Sequence, residues 1–311
     1  MTLPTISDKR IILVTILTHP ASLDYAIPLV FLAFWTTGFS VVKIGLRSAD
    51  PFTFLALRYV FVLLILLPVQ IVLRLPTPRG IRKLIDLCII GFLIQFVYFG
   101  GTYLALRQGL SAGTLAVIVS MQPILVGVIA PIWVKESIAK IQWVGLTFGF
   151  LGTLIVILSK STVSLNSLQS IGYAFAALFG LTFGMLYEKK RSSSTNIISA
   201  TLIQSAVGLA FVLPLALALD SWHIEWSLEF IFSLSYLVIF NSIISIILLL
   251  FLMRHRQATK VAALFFLVPP GAAIVAHILL GERLFFTTWI GIAIATFGVL
   301  LSTLNEISKR A

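Results

Sequence analysis

The chain has 311 residues, of which 59% are hydrophobic and 11% charged, with a formal net charge of +11 and a mean hydropathy of +1.08. Soluble domains run at roughly 45–50% apolar and about 25% charged residues, so this composition excludes an ordinary water-soluble globule. The basic excess does not point to nucleic acid, because Lys and Arg fall in short clusters between long apolar runs, as in a membrane protein that orients itself by charge.

Residues 1–24 open with Lys9 and Arg10 ahead of a short apolar stretch, 11–17. The stretch is too short for a convincing signal peptide, and the segment reads as a cytosolic lead-in. A helix needs about 20 apolar residues to cross a bilayer. Such runs lie at 25–46, 52–73, 85–106, 112–134, 139–159, 167–188, 196–219, 230–253, 260–281 and 284–304. The expected fold is an all-α membrane protein with ten transmembrane helices. Continuous runs of this length are not the alternating ten-residue segments of a β-barrel. Cys88 is the single cysteine and lies in an apolar run, so it forms no internal disulfide and reads as a packing residue.

Orientation follows from the basic residues. With a cytosolic N-terminus, sixteen of them fall on the inner side, including Arg79, Arg82, Lys83, Lys189, Lys190, Arg191, Arg254 and Arg256; four fall outside, Arg47, Arg107, Lys160 and Arg283. This bias predicts both termini in the cytoplasm.

A shift of 146 residues superimposes one half of the chain on the other without a gap. Pro123 meets Pro269, Glu136 meets Glu282, Trp143 meets Trp289, Gly145 meets Gly291 and Gly152 meets Gly298. Earlier in each half, Thr36 meets Thr182, Gly38 meets Gly184, Lys43 meets Lys189 and Pro68 meets Pro214. Each half carries five runs, an odd number, so the second enters the membrane from the opposite side. Two inverted five-helix repeats are expected, 25–159 and 167–304, joined by an outer linker at 160–166 and followed by a cytosolic tail at 305–311. Such repeats are the common frame of alternating-access carriers.

The motifs FWTTGFSVVK (34–43), PFTFLALRY (51–59), LSAGTLAVIVSMQP (110–123), KES (135–137) and LGERL (280–284) resemble those of the EamA family of the drug/metabolite transporter superfamily. The resemblance runs from about residue 25 nearly to the end. It implies ten helices, cytosolic termini, a central cavity lined by both halves, and export or exchange of small metabolites such as amino acids in a bacterial inner membrane. One departure is KES where the second half has GER, so Ser137 stands in place of an arginine.

Within the runs, charges carry most information, since each costs about 2.5–3.5 kcal/mol at a helix centre. Lys43 and Arg58 fit either snorkelling to the outer interface or a cationic vestibule for a carboxylate or phosphate. Lys43 also lies in the motif that carries the resemblance. All eleven carboxylates fall at helix ends or in loops, which argues against proton antiport through a buried acid. His277 is the alternative ionisable group, and reads as a packed neutral histidine rather than a relay.

Polar and aromatic residues suggest a cavity: Trp35 on helix 1, Gln95 and Tyr98 sharing a face of helix 3, Gln122 on helix 4, and Asn241 and Ser245 on helix 8. Gln95 and Asn241 are repeat mates, with interhelical hydrogen bonding as the alternative. Tyr103 lies to one side of the Gln95–Tyr98 face by helical spacing. Pro123, Pro269 and Pro270 are hinge candidates inside helices 4 and 9. Gly145, Gly149 and Gly152 match Gly291, Ala295 and Gly298, a small-residue stripe expected to let two backbones approach. No metal cluster, nucleotide loop or nucleophile–base pair is visible, so neither an enzyme nor a cofactor is expected. The expected partners are a small-molecule substrate and membrane lipids, with monomer and dimer both open. A broad-specificity drug or lipid-intermediate translocator is the rival reading.

Overall fold

The computed structural model describes residues 22–110, 115, 118–160, 168–191, 195–280 and 285–303. These residues fold into helices, and the one extended pairing among them is an isolated antiparallel bridge between Ala49 and Ile224. Hydrocarbon offers no hydrogen bonds, so an apolar run is stable there only where its backbone bonds to itself. In chain order, α1 is Ser22–Gly45, α2 Pro51–Val72, α3 Ile81–Arg107, α4 Gln122–Trp133 and α5 Lys140–Lys160. Then come α6 Leu168–Arg191, α7 Ile197–Leu219, α8 Leu228–His255, α9 at 258–280 and α10 Phe286–Thr303.

Among the described residues, six helices are long and apolar enough to cross a membrane: α1, α2, α3, α6, α7 and α8. The described apolar stretches of α4, α5, α9 and α10 are shorter. The outward surface is apolar, with Ile132 82%, Phe286 79% and Val72 77% exposed. A continuous apolar coat of this kind is a liability in water and a match to lipid tails, which is the character of a membrane protein. The expected terminal segments fall almost wholly outside the described residues, as do Glu282 and the side chain of His277.

Local signals set several boundaries. Pro51 begins α2, where its missing N–H is no loss. Asn196 caps α7, its Oδ1 accepting from the backbone N–H of Ile198 at 3.0 Å, and the Ser227 hydroxyl accepts from Phe230 N–H at 3.2 Å at the start of α8. Two helices change pitch inside the membrane run. α3 is π-helical over Phe92–Tyr98 and α8 over Leu237–Ile244. Shifting 92–98 by 146 gives 238–244, so the wide turns occupy corresponding places in the two halves.

The prolines sit differently from the expected mid-helix kinks. A turn at Ser120–Met121 precedes α4, and Pro123 lies in the first turn of that helix. In α9 a 3-10 segment, Leu264–Leu267, separates Ala258–Ala263 from Val268–Leu280, and Pro269 and Pro270 begin the second piece. Each break comes ahead of its proline, because proline fits a helix start, where no intrahelical partner for an N–H is needed.

Two helix pairs frame the bundle. α5 and α10 meet backbone to backbone: a Cβ on Gly145 would come within 2.6 Å of the Gly298 carbonyl oxygen, and one on Gly291 within 2.8 Å of the Gly152 carbonyl oxygen. Gly152 is equally tight against the Ala295 backbone, whereas Gly149 faces the Phe266 ring at 2.5 Å as well as Gly298. Any larger side chain would force the two helices apart.

The second pair, α2 and α7, is clasped at both ends. At one end Asp220 Oδ2 accepts from the backbone N–H and hydroxyl of Thr53, at 2.6 and 2.9 Å. Asp50 Oδ2 beside it accepts from the backbone N–H and hydroxyl of Ser221, at 3.0 and 2.7 Å. At the other end the Ser199 hydroxyl donates to Gln70 Oε1 at 2.8 Å.

Candidate functional site

Between α1, α3 and α8, on the side of the bundle nearer Asp50, lies a narrow cleft. Its walls are Trp35, Gly38 and Val42 from α1, Tyr98, Phe99, Thr102 and Tyr103 from α3, and Asn241 from α8. The α1 residues follow i, i+3, i+7 and the α3 residues i, i+1, i+4, i+5, each one broad helix face. Trp35 stacks on Tyr98 with ring centroids 6.0 Å apart and meets Phe265 edge-on at 5.4 Å. Asn241 reaches the wall because Gly38 opposite has no side chain: a Cβ there would lie 2.5 Å from Asn241 Nδ2.

Arg58 stands directly behind this wall with none of its surface exposed. Its guanidinium donates to Asn241 Oδ1 at 2.7 Å, to the Tyr103 hydroxyl at 3.2 Å, and from Nε to the Ser242 hydroxyl. Its Cζ lies 4.4 Å from the centre of the Phe99 ring. The π-helical turn of α8 presents Asn241 and Ser242, neighbours in sequence, to the same guanidinium. Among the described residues no carboxylate lies within ion-pairing distance of Arg58. A guanidinium keeps its proton in proteins, so this is a buried positive charge balanced only by neutral oxygens and a ring face. The snorkelling alternative for Arg58 does not hold, because its head group is inside the bundle.

The remaining expected site residues divide. Trp35, Tyr98 and Asn241 line the cleft, and Arg58 is held by it. Lys43 is exposed in the last turn of α1, apart from the cluster. Gln95 is buried but turned away: its backbone carbonyl accepts from the Tyr59 hydroxyl, and its Cβ packs where Gly208 of α7 leaves room. Gln122 donates to Met185 Sδ at 3.1 Å. The Ser245 hydroxyl donates to the Phe240 carbonyl at 2.8 Å, five residues back, serving the backbone of the π segment.

Sequence reading set Tyr103 aside and passed over Phe99, Thr102 and Ser242. The i, i+1, i+4, i+5 polar-aromatic spacing on α3 is the signal that finds the first three. Thr102 is 3% exposed, and its hydroxyl has no hydrogen-bond partner although it borders the cleft.

The opposite face is closed by ion pairs. Glu188, 1% exposed, holds Arg254 Nε at 2.9 Å, and Arg254 also donates to the Thr195 carbonyl. Glu136 pairs with Lys189 at 3.7 Å. The Glu136 carboxylate also accepts from Ala258 N–H at 2.8 Å, capping α9 from the loop after α4. The sequence placed Glu188 at a helix end, and so it is, but facing inward rather than toward solvent.

The sequence profile of the EamA-like transporter family matches this chain twice, over residues 25–158 and 168–304. The transporter YvbV of Bacillus subtilis is 25% identical over 89% of this chain and 90% of its own length. The inner membrane transporter YedA of Escherichia coli K12 is 24% identical over 88% of each. A Salmonella typhimurium protein named "Probable amino-acid metabolite efflux pump" is 26% identical over 84% of this chain and 88% of its own. A solved crystal structure superposes with a TM-score of 0.75 over 92% of this chain and 98% of that one; at 13% identity it speaks to the fold alone. With two matched segments that together span most of its length and transporters along nearly nine-tenths of it for relatives, the chain is a membrane transporter rather than an enzyme, and it belongs to the EamA-like transporter family.

Proposed function

We propose that this protein is a secondary carrier that exports or exchanges a small carboxylated metabolite across a bacterial inner membrane, by alternating access between two inverted five-helix repeats. The observation that carries the substrate class is the buried, acid-free guanidinium of Arg58 behind the cleft wall. The cleft is narrow and its walls are nearly buried, which supports a small metabolite over a bulky drug or a lipid intermediate. The name of the Salmonella relative supports a small metabolite as the cargo. The paired π segments and the double family match support the repeat. The basic clusters at Arg79–Lys83, Lys189–Arg191 and Arg254–Arg256 support a cytoplasmic Glu188 face and cytoplasmic termini. With that face sealed by ion pairs and the cleft nearer the other, the conformation described corresponds to an outward-facing carrier.

The test is counterflow. Purified protein in vesicles preloaded with unlabelled carboxylated metabolites should accumulate the matching labelled compound above empty vesicles. Failure of every carboxylated compound, with a non-carboxylated one succeeding, overturns the substrate class; failure of all compounds in folded protein overturns the carrier reading.

A further inference from the structure

The hydrogen-bond polarity of the cleft narrows the substrate further. Arg58 occupies an oxygen of each polar neighbour it touches on the wall: Asn241 Oδ1 and the Tyr103 hydroxyl both accept from it. Each still has a donor to offer, the Tyr103 O–H and the Asn241 amide N–H, the amide's other contact as a donor being a long 3.4 Å one to the Phe34 carbonyl. A group that accepts from a cation becomes a better donor, because the chain of bonds is polarised in one direction. The unpartnered Thr102 hydroxyl adds a third donor at the same wall. A buried hydroxyl left without a partner is costly unless something comes to meet it.

The rest of the lining is Trp35, Gly38, Val42, Tyr98 and Phe99. It contains no Asp or Glu, and hence nothing to neutralise an ammonium. Aromatic walls alone can hold a cation over their faces, but Arg58 already sits over one face of Phe99, 4.4 Å from the ring centre. The fixed positive charge behind the wall repels a second one in a medium of low dielectric.

Resting on the carrier reading above, we propose that the site takes a small organic monoanion, a carboxylate on a flat apolar body without an amino group, and discriminates against the corresponding zwitterion and cation. The carboxylate is met by the Tyr103, Asn241 and Thr102 donors, with Arg58 supplying the compensating charge from behind. The flat body lies against Trp35 and Tyr98. Transport then selects by net charge, because an added ammonium meets Arg58 and no acid.

A matched set of probes separates these claims: 3-phenylpropanoate, L-phenylalanine, 2-phenylethylammonium and 3-phenylpropan-1-ol, with binding to the intact detergent-solubilised protein followed by tryptophan fluorescence and by thermal shift. The anion is expected to bind at least about tenfold more tightly than each of the other three. Tyr103→Phe and Thr102→Val, which keep shape and remove one donor each, should each weaken the anion roughly tenfold and leave the alcohol within about twofold. Zwitterion or cation binding as tight as the anion overturns the inference and leaves the carrier reading standing, as does the absence of any binding by the anion. Binding of the anion without its counterflow in vesicles overturns the carrier reading and leaves the inference standing. If both variants bind the anion like the native protein, the donor wall is not the recognition element and the inference fails.

Discussion

Arg58 and Asn241 have counterparts 146 residues away, Gln204 and Gln95, and the two pairs end differently. The first joins α2 to α8 with a charge at its centre; the second lies between α7 and α3 and is neutral. Gln95 Oε1 and Gln204 Oε1 are both buried without a partner, and Gln204 Nε2 reaches only a 3.5 Å contact with Glu188 Oε2. Backbone correspondence extends to the π segments, and the Arg58–Asn241 seat borders the cleft. A duplicated frame offers two equivalent positions, and the difference of one side chain, guanidinium against amide, gives one of them a fixed positive charge.

Replacing Arg58 by Gln gives the first seat the chemistry of the second, and should produce the largest effect. Transport of a carboxylated substrate, read as kcat/KM in proteoliposomes, is expected to fall at least about a hundredfold, since hydrogen bonds to a charged group are worth roughly 1.5–3 kcal/mol and the fixed charge goes with them. Gln204→Ala should stay within about threefold; equal losses would erase the distinction between the seats.

Gly38 and Gly184 sharpen the same contrast. A Cβ on Gly38 collides with the Asn241 amide, whereas one on Gly184 comes within 2.5 Å of Ile94 Cγ1. Gly38→Ala should therefore cut transport about tenfold by displacing a polar wall residue. Gly184→Ala should cost about 1–3 kcal/mol of stability through overpacking, seen as a lower Tm, with transport by the folded fraction retained. Loss of transport in both would show that packing, not the amide, is at stake.

The smallest effect concerns Asp50, whose mate is the neutral Asn196. The Ser221 hydroxyl and then its backbone N–H lower the Asp50 carboxyl from its ordinary 3.8, with Arg107, 3.2 Å away, adding to the shift against the opposing effect of burial. A depressed carboxylate stabilises the fold above its unfolded pKa, and that contribution fades as pH falls through the lower, folded value. The Tm difference between native protein and Asp50→Asn should be present at about pH 6 and shrink as pH falls below the ordinary carboxylate value of 3.8. A difference independent of pH would mean that the contact works equally well with an amide.

Much of this could be read from the chain. Run length is a local property, and nine of the apolar runs coincide with helices to within a few residues, whereas the fourth, 112–134, is helical over Gln122–Trp133 after a turn at Ser120–Met121. Arg58 stood out because a charge among apolar neighbours is conspicuous. What escaped depends on rotation. Gln95 and Tyr98 share a face in a regular α-helix, but the π segment that contains both widens the turn, so Tyr98 faces the cleft while Gln95 faces α7. The same widening leaves a simple 3.6-residue count unreliable for Asn241 and Ser245. The burial of Glu188 escaped for another reason: it depends on Arg254 arriving from α8.

The double clasp on α2 bears on how the protein is made. Thr53 and Gln70, at opposite ends of α2, find their partners on residues 220 and 199. While the ribosome is still producing α3 to α6, α2 is already in the bilayer with Thr53 and the Gln70 Oε1 still lacking these partners. The first half therefore cannot finish folding on its own schedule; it waits for α7, and a nascent chain stalled before residue 220 should remain a substrate for the proteases that survey unassembled membrane segments.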